Sequence, residues 1–298
     1  MQRRGEAIVL SPSDLMRFQD CVHATMLHLR YLNGEPLAPA EDTASARLMQ
    51  VKGDSHELAF LQTLRDAHKS IRTIDKEMAF QDAIEATRAA LMEGSDYIYQ
   101  AALSGGRWGG FADFVERIDR PSRLGAFSYE VIDTKLKRSP DPKHVLQLVL
   151  YSDLLSEVQG VEPEHIHIVL VDRQRVTLRL GDYASYARHL RKRLEEFVAK
   201  PDPTRPEPVA GCDFCRWREH CRREWDATDS LCMVAGIRKD QRLKLEAAGV
   251  KTLAAAPPCV TCLQRSGWSS RDRLGPMPNP SSAAIVVCHG RSRTTALS

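Results

Sequence analysis

The chain has 298 residues, 43% of them apolar and 27% charged, with a formal net charge of +3. That composition suits a globular domain with a sizeable core and argues against an intrinsically disordered chain. No apolar run approaches the roughly 18 residues a membrane span requires, and Ala7-Ile-Val-Leu10 is too short for a signal-peptide core, so a cytoplasmic protein with no membrane partner is expected.

In chain order, Ser11-Pro12-Ser13-Asp14 is a helix start, with Ser11 as cap and Pro12 at the first helical position; that helix carries Leu15, Phe18 and Val22 and reaches Cys21. A second helix is predicted from about Thr43 to His68, and a third from Asp82, its cap, to Glu93, stopped by Gly94. Strands follow near 97–103, 111–118 and 126–136. A helix begins after Pro142, strands cover His165–Val171 and Arg175–Leu180, and a basic amphipathic helix runs from about Tyr183 to Ala199. The order predicts an α/β fold, a mixed sheet flanked by helices.

Pro201 to Pro208 cannot continue a helix and serves as an extended linker. Residues 229–256 form a small helical module in which Leu243–Leu253 resembles half of a helix-hairpin-helix, a simple helical cap being the equal alternative. From 257 onward proline, serine, glycine and arginine dominate, and a disordered or atypical tail is expected. The predicted boundaries are therefore 1–228, 229–256 and 257–298.

Tyr129-Glu-Val-Ile-Asp-Thr-Lys-Leu136 carries the sharpest chemistry. Side chains alternate along a strand, so Asp133 and Lys135 share a face. A carboxylate and an ammonium on an apolar strand are costly to bury without a task, and metal-assisted hydrolysis needs both. Trp108–Ile118 reads as an adjacent strand joined by a short connection, which brings Asp113 beside that pair. An Asp-X-Lys triplet alone is more often a solvated strand edge. His56 lies within the second helix, where a satisfied histidine is the ordinary reading. Gln147 and Tyr151, four apart, share a helical face.

Eight cysteines argue for metal or redox chemistry rather than a disulfide framework. Cys212-X2-Cys215-X5-Cys221 lacks a fourth ligand, for which Cys21 and, in a zinc site, His220 are candidates. Spacing does not choose between Zn2+ and iron. Trp217, Trp225 and four arginines accompany the cluster, offering stacking and phosphate neutralisation to a nucleic acid. The basic runs near 135–138, 188–193 and 216–223 are more often solvated faces than phosphate tracks. Cys259-X2-Cys262 with Cys288-His289 imitates a zinc ribbon only weakly.

Taken in order, Gly53-X2-His56, Gly110-X2-Asp113, Asp133-Thr134-Lys135 and Gln147-X3-Tyr151 resemble the signature of RecB-family nucleases of the PD-(D/E)XK superfamily, over about residues 7–256. Cys21 with the later triplet is similar to the subgroup clamped by a four-cysteine [4Fe–4S] cluster, which includes the CRISPR adaptation nuclease and AddB-type subunits. The resemblance implies a restriction-endonuclease-like fold, with Mg2+ or Mn2+ held by His56, Asp113, Asp133 and the Thr134 carbonyl. It also implies that Lys135 aims water or stabilises charge, that Gln147 and Tyr151 support DNA, and that Cys21, Cys212, Cys215 and Cys221 hold the cluster. The substrate implied is DNA, at single-stranded ends, in repair, recombination or processing, with a helicase subunit as a possible partner. Asp133 stands where many superfamily members have Glu. No G-X4-G-K-[ST] motif is present, so ATP hydrolysis by that route is excluded. The alternatives are a catalytically inactive nucleic-acid-binding module of a helicase–nuclease assembly and a zinc-stabilised domain with another hydrolase activity.

Overall fold

The computed structural model describes residues 1–5 and 7–256. Residue contacts divide the chain after Arg218 into two units, each described by itself. The expected tail and the Cys259, Cys262, Cys288 and His289 motif lie outside the described residues.

In the first unit, β1 (Gln2–Arg4) and β2 (Ala7–Val9) pair antiparallel. Helix α1 (Pro12–Asp20) starts as its sequence predicts: the Asp14 carboxylate accepts from the Ser11 amide at 2.9 Å and from the Ser11 hydroxyl at 2.6 Å. It does not run on through Val22. Cys21 is extended, with φ −156° and ψ 103°, and its Sγ accepts from the Ala24 amide at 3.4 Å. The thiol thereby caps a separate helix, α2 (Val22–Leu32), that the sequence pattern does not resolve.

Helix α3 (Ala44–Asp66) is capped by the Thr43 hydroxyl and leads to β3 (Ile71–Thr73). Helix α4 (Phe80–Glu93) begins two residues ahead of the expected Asp82. The Phe80 ring packs edge-on to Phe111 at 5.5 Å, which draws the first turn onto the sheet. Gly94, at φ 78°, ends it as expected.

Strands β4 (Tyr97–Gly105), β5 (Trp108–Ile118) and β6 (Ser128–Thr134) form a meander, and α5 (Pro142–Gln159) crosses over to β7 (His165–Val169). Strand β8 (Arg175–Arg179) and helix α6 (Gly181–Ala199) follow. The sheet order is β3-β4-β5-β6-β7-β8, parallel at β3–β4 and β6–β7 and antiparallel elsewhere. This is the mixed, helix-flanked sheet the element order predicts.

The larger core lies on one face, where Leu15, Leu91, Leu148, Leu154 and Leu194 of α1, α4, α5 and α6 are buried with Tyr129 and Val131 of β6. A smaller cluster covers the other face, where Leu61 and Leu64 of α3 meet Phe114, Ile132 and Val169. Each such buried leucine contributes about 1.5–3 kcal/mol. Two leucines are the buried anchor of α3, since the first half of the helix is largely exposed.

In the second unit α7 (Arg218–Ala227), whose first residue precedes the division, is followed by a 3-10 turn at Leu231–Met233 and by α8 (Lys239–Ala247). Leu231 and Val234 are buried, and the Leu253 amide donates to the Asp229 carbonyl at 2.9 Å, closing the segment on itself.

Candidate active site

The β5–β6 register places Phe114 opposite Ile132, so one step further Asp113 comes opposite Asp133. The Thr134 amide lies 3.4 Å from Asp113 Oδ2. Lys135 projects on the Asp133 side, as alternation requires, and its Nζ is 2.7 Å from Asp133 Oδ1. Asp133 is only 3% exposed. Its second oxygen, Oδ2, is buried with no hydrogen-bond partner.

These charges govern one another. Burial, and then the neighbouring Asp133 charge, push the Asp113 carboxyl well above the ordinary carboxylate range. Burial works against the Lys135 ammonium, but Asp133 and Asp113 outweigh it and hold its pKa above the usual lysine value. Lys135 therefore keeps its charge throughout the neutral range.

Parallel pairing of β7 sets Val169 against Thr134. The Val169 carbonyl accepts from the Lys135 amide at 2.9 Å and lies 3.4 Å from His56 Nε2. Helix α3 thus delivers His56 to the end of β6, where Asp133, Thr134 and Lys135 lie. The next residue, Glu57, also belongs here. Its carboxylate accepts from Gln100 Nε2 and from the Tyr99 hydroxyl, and burial followed by the Asp113 charge raises its pKa. The sequence pattern assigns no role to Glu57, Tyr99 or Gln100. The signal available for Glu57 was adjacency to His56; for Gln100 there was only an amide inside an apolar strand.

Behind the carboxylates, α5 presents Gln147 and Tyr151, which hydrogen-bond to each other. Tyr151 is buried, and desolvation followed by the Asp113 and Asp133 charges raises its hydroxyl pKa. Its hydroxyl fits beside Gly110, where a Cβ would lie 2.9 Å from the oxygen. His144, one turn earlier on the same face, has a buried Nδ1 without a partner. Burial and the Lys135 charge lower its pKa to about 4.

The family model described as the PD-(D/E)XK nuclease superfamily matches residues 20–222, about two thirds of the chain and the whole of this arrangement. The chain belongs to that superfamily. No curated protein matches it. Among solved structures, one described as the crystal structure of SSO0001 is similar at 16% identity, covering 74% of this chain and 88% of that one, with a TM-score of 0.35. So loose a likeness carries no argument.

For a PD-(D/E)XK member the fit of a divalent cation can be tested on its donors. Two buried carboxylates, one with an unpartnered oxygen, suit a hard cation that prefers oxygen. Among the described residues, however, no three His, Cys, Asp or Glu side chains are already gathered closely enough to hold an ion. The donor set fits; the His56 ring is engaged with the Val169 carbonyl.

The cysteines converge in part. Burial raises the Cys21 thiol pKa, and Cys215 and Cys212 add to it, so the three sulfurs lie within electrostatic reach despite their separation in sequence. Cys212 opens the 3-10 turn Cys212–Phe214 and Cys215 follows it, and each Sγ accepts from a backbone amide, of Val209 at 3.3 Å and Trp217 at 3.4 Å. Cys221 lies on α7, in the second unit. Trp217 cannot stack on bases as its sequence position suggests. It is 1% exposed, packed against His28 and Tyr31. The basic run of α6 is largely an ion-paired face: Arg188 meets Asp153 and Glu162, Arg191 meets Asp153 and Glu195, and Lys192 meets Glu196. No helix among the described residues is long and apolar enough to cross a membrane.

Proposed function

We propose that the protein is a divalent-metal-dependent DNA nuclease that hydrolyses phosphodiester bonds at the Asp113–Asp133–Lys135 site. The observation that carries this reading is the meeting of Asp113 with the Asp133–Lys135 pair, with one buried Asp133 oxygen left unpartnered. Asp113, Asp133, His56 and the Thr134 carbonyl are the proposed holders of Mg2+ or Mn2+. A cation in such a site supplies neutralisation of phosphate charge and a more acidic water.

The chain's own groups define the rest. Asp133 Oδ1 fixes the Lys135 ammonium, which stays protonated and donates to a phosphate oxygen or orients the attacking water. The Tyr151 hydroxyl, kept un-ionised by burial and tied to Gln147, supports the backbone of the bound strand.

By family resemblance we extend the proposal to single-stranded DNA ends, to repair, recombination or processing, and to a helicase partner. On the same resemblance we also propose a [4Fe–4S] cluster on Cys21, Cys212, Cys215 and Cys221; brown protein with near-stoichiometric iron and sulfide is expected after anaerobic purification, and colourless protein with one zinc would refute it. The nuclease test is cleavage of labelled single- and double-stranded DNA with Mg2+ or Mn2+. Wild type should cut and Lys135→Ala and Asp113→Ala should not; cleavage surviving both substitutions sinks the assignment.

A further inference from the structure

Four described non-glycine residues have positive φ, and three of them, His68, Arg173 and Asp229, lie in turns or loops. The fourth, Gln100, at φ 60°, is inside β4. An L residue in that conformation in mid-strand is held there by its surroundings, and such residues gather at functional sites. Gln100 is 2% exposed, its Nε2 donates to Glu57, and its Oε1 is buried without a partner. An amide that only filled the core would be expected to satisfy both ends.

The position is as telling as the conformation. The β4–β5 register pairs Tyr99 with Phe114 and Ala101 with Ala112, and skips Gln100 with Asp113. Gln100, Asp113 and Asp133 therefore form one row across three strands. Glu57 reaches this row from α3 through the hydrogen bond its carboxylate accepts from Gln100 Nε2.

We propose that Gln100 is a positioning residue whose left-handed backbone holds the Glu57 carboxylate beside Asp113, making Glu57 a third acid for the divalent cation. This deepens the nuclease reading and rests on it. A carboxylate oxygen is the ligand type that Mg2+ and Mn2+ prefer, and partners that orient such ligands typically change affinity 10–100-fold when removed.

The test is Mn2+ titration calorimetry with thermal unfolding on the full chain, comparing wild type with Gln100→Gly, Glu57→Gln and the double variant. Glycine adopts positive φ freely, so Gln100→Gly should keep or raise Tm while weakening Mn2+ binding about 10-fold. Glu57→Gln should weaken it at least as much, and the double variant should add little, because both act through one carboxylate. Should Gln100→Gly fail to fold, Gln100→Asn, which tolerates left-handed backbone, replaces it with the same expected weakening. Variants that bind Mn2+ within twofold of wild type overturn this proposal alone. Absence of Mn2+ binding by wild type overturns it together with the nuclease reading.

Discussion

Lys135 Nζ sits 2.7 Å from Asp133 Oδ1, while the other oxygen of the same carboxylate is buried and unpartnered. One side chain thus anchors the lysine ammonium and keeps a buried acceptor without a partner. Asp113, facing it across the strands, bears the repulsion.

Relief of that repulsion should appear as stability. Asp113→Asn removes a buried acid whose ionisation Asp133 opposes and keeps an oxygen for the Thr134 amide. Loss of cleavage together with a Tm raised by about 2–4 °C, the shift that ~1 kcal/mol produces in a domain of this size, is expected from calorimetry and a DNA assay. A lowered Tm would mean that repulsion does not dominate.

The anchoring of α3 gives a second expectation. Leu61 is 2% exposed and, with Leu64, fixes the helix that carries His56 and Glu57. Leu61→Ala should cost about 2–5 kcal/mol in urea unfolding, and Mn2+-dependent cleavage by the fraction still folded should also fall, because the helix seat is loosened. Unchanged specific activity in that fraction would uncouple the helix from the site.

Gly110 sets the space for Tyr151. A methyl there would lie 2.9 Å from the tyrosine hydroxyl and 3.3 Å from Pro12 Cδ. Gly110→Ala should destabilise by about 1–3 kcal/mol. Combining it with Tyr151→Phe, which removes the oxygen in the way, should recover part of that loss by chemical denaturation.

Acid sensitivity should trace in part to His144. Its native pKa of about 4 lies below the ordinary 6.5, first because it is buried and then because Lys135 is near. Between those values the unfolded chain binds a proton that the native protein does not, so stability falls as pH drops, with a slope approaching ~1.4 kcal/mol per pH unit from this group. Urea titrations from pH 7 to 4 should show a shallower decline in His144→Gln.

Much of this arrangement is legible from sequence because it rests on strong local signals. Ser11-Pro12 punctuates α1, Gly94 closes α4, and the short connection between β5 and β6 makes them antiparallel, bringing Asp113 to Asp133. The three-residue β3 is too short to show alternation. The break at Cys21 is invisible because Leu15, Phe18 and Val22 keep helical spacing across it. The conformation of Gln100 is illegible for a deeper reason: its φ is fixed by tertiary surroundings, and nothing in Tyr99-Gln100-Ala101 announces it. Trp217 shows the converse, an aromatic beside arginines that packing has turned inward.

The lapse in strand pairing at Asp113 has a consequence for how this sheet can evolve. Register skips Asp113 toward β4 and stops short of it toward β6, and there the Thr134 amide meets the Asp113 carboxylate instead. The side chain serves as a stitch where the backbone supplies none. A descendant that abandoned the chemistry by losing this carboxylate would also unpick the sheet, so its cheapest retirement is a neutral side chain that still accepts the amide.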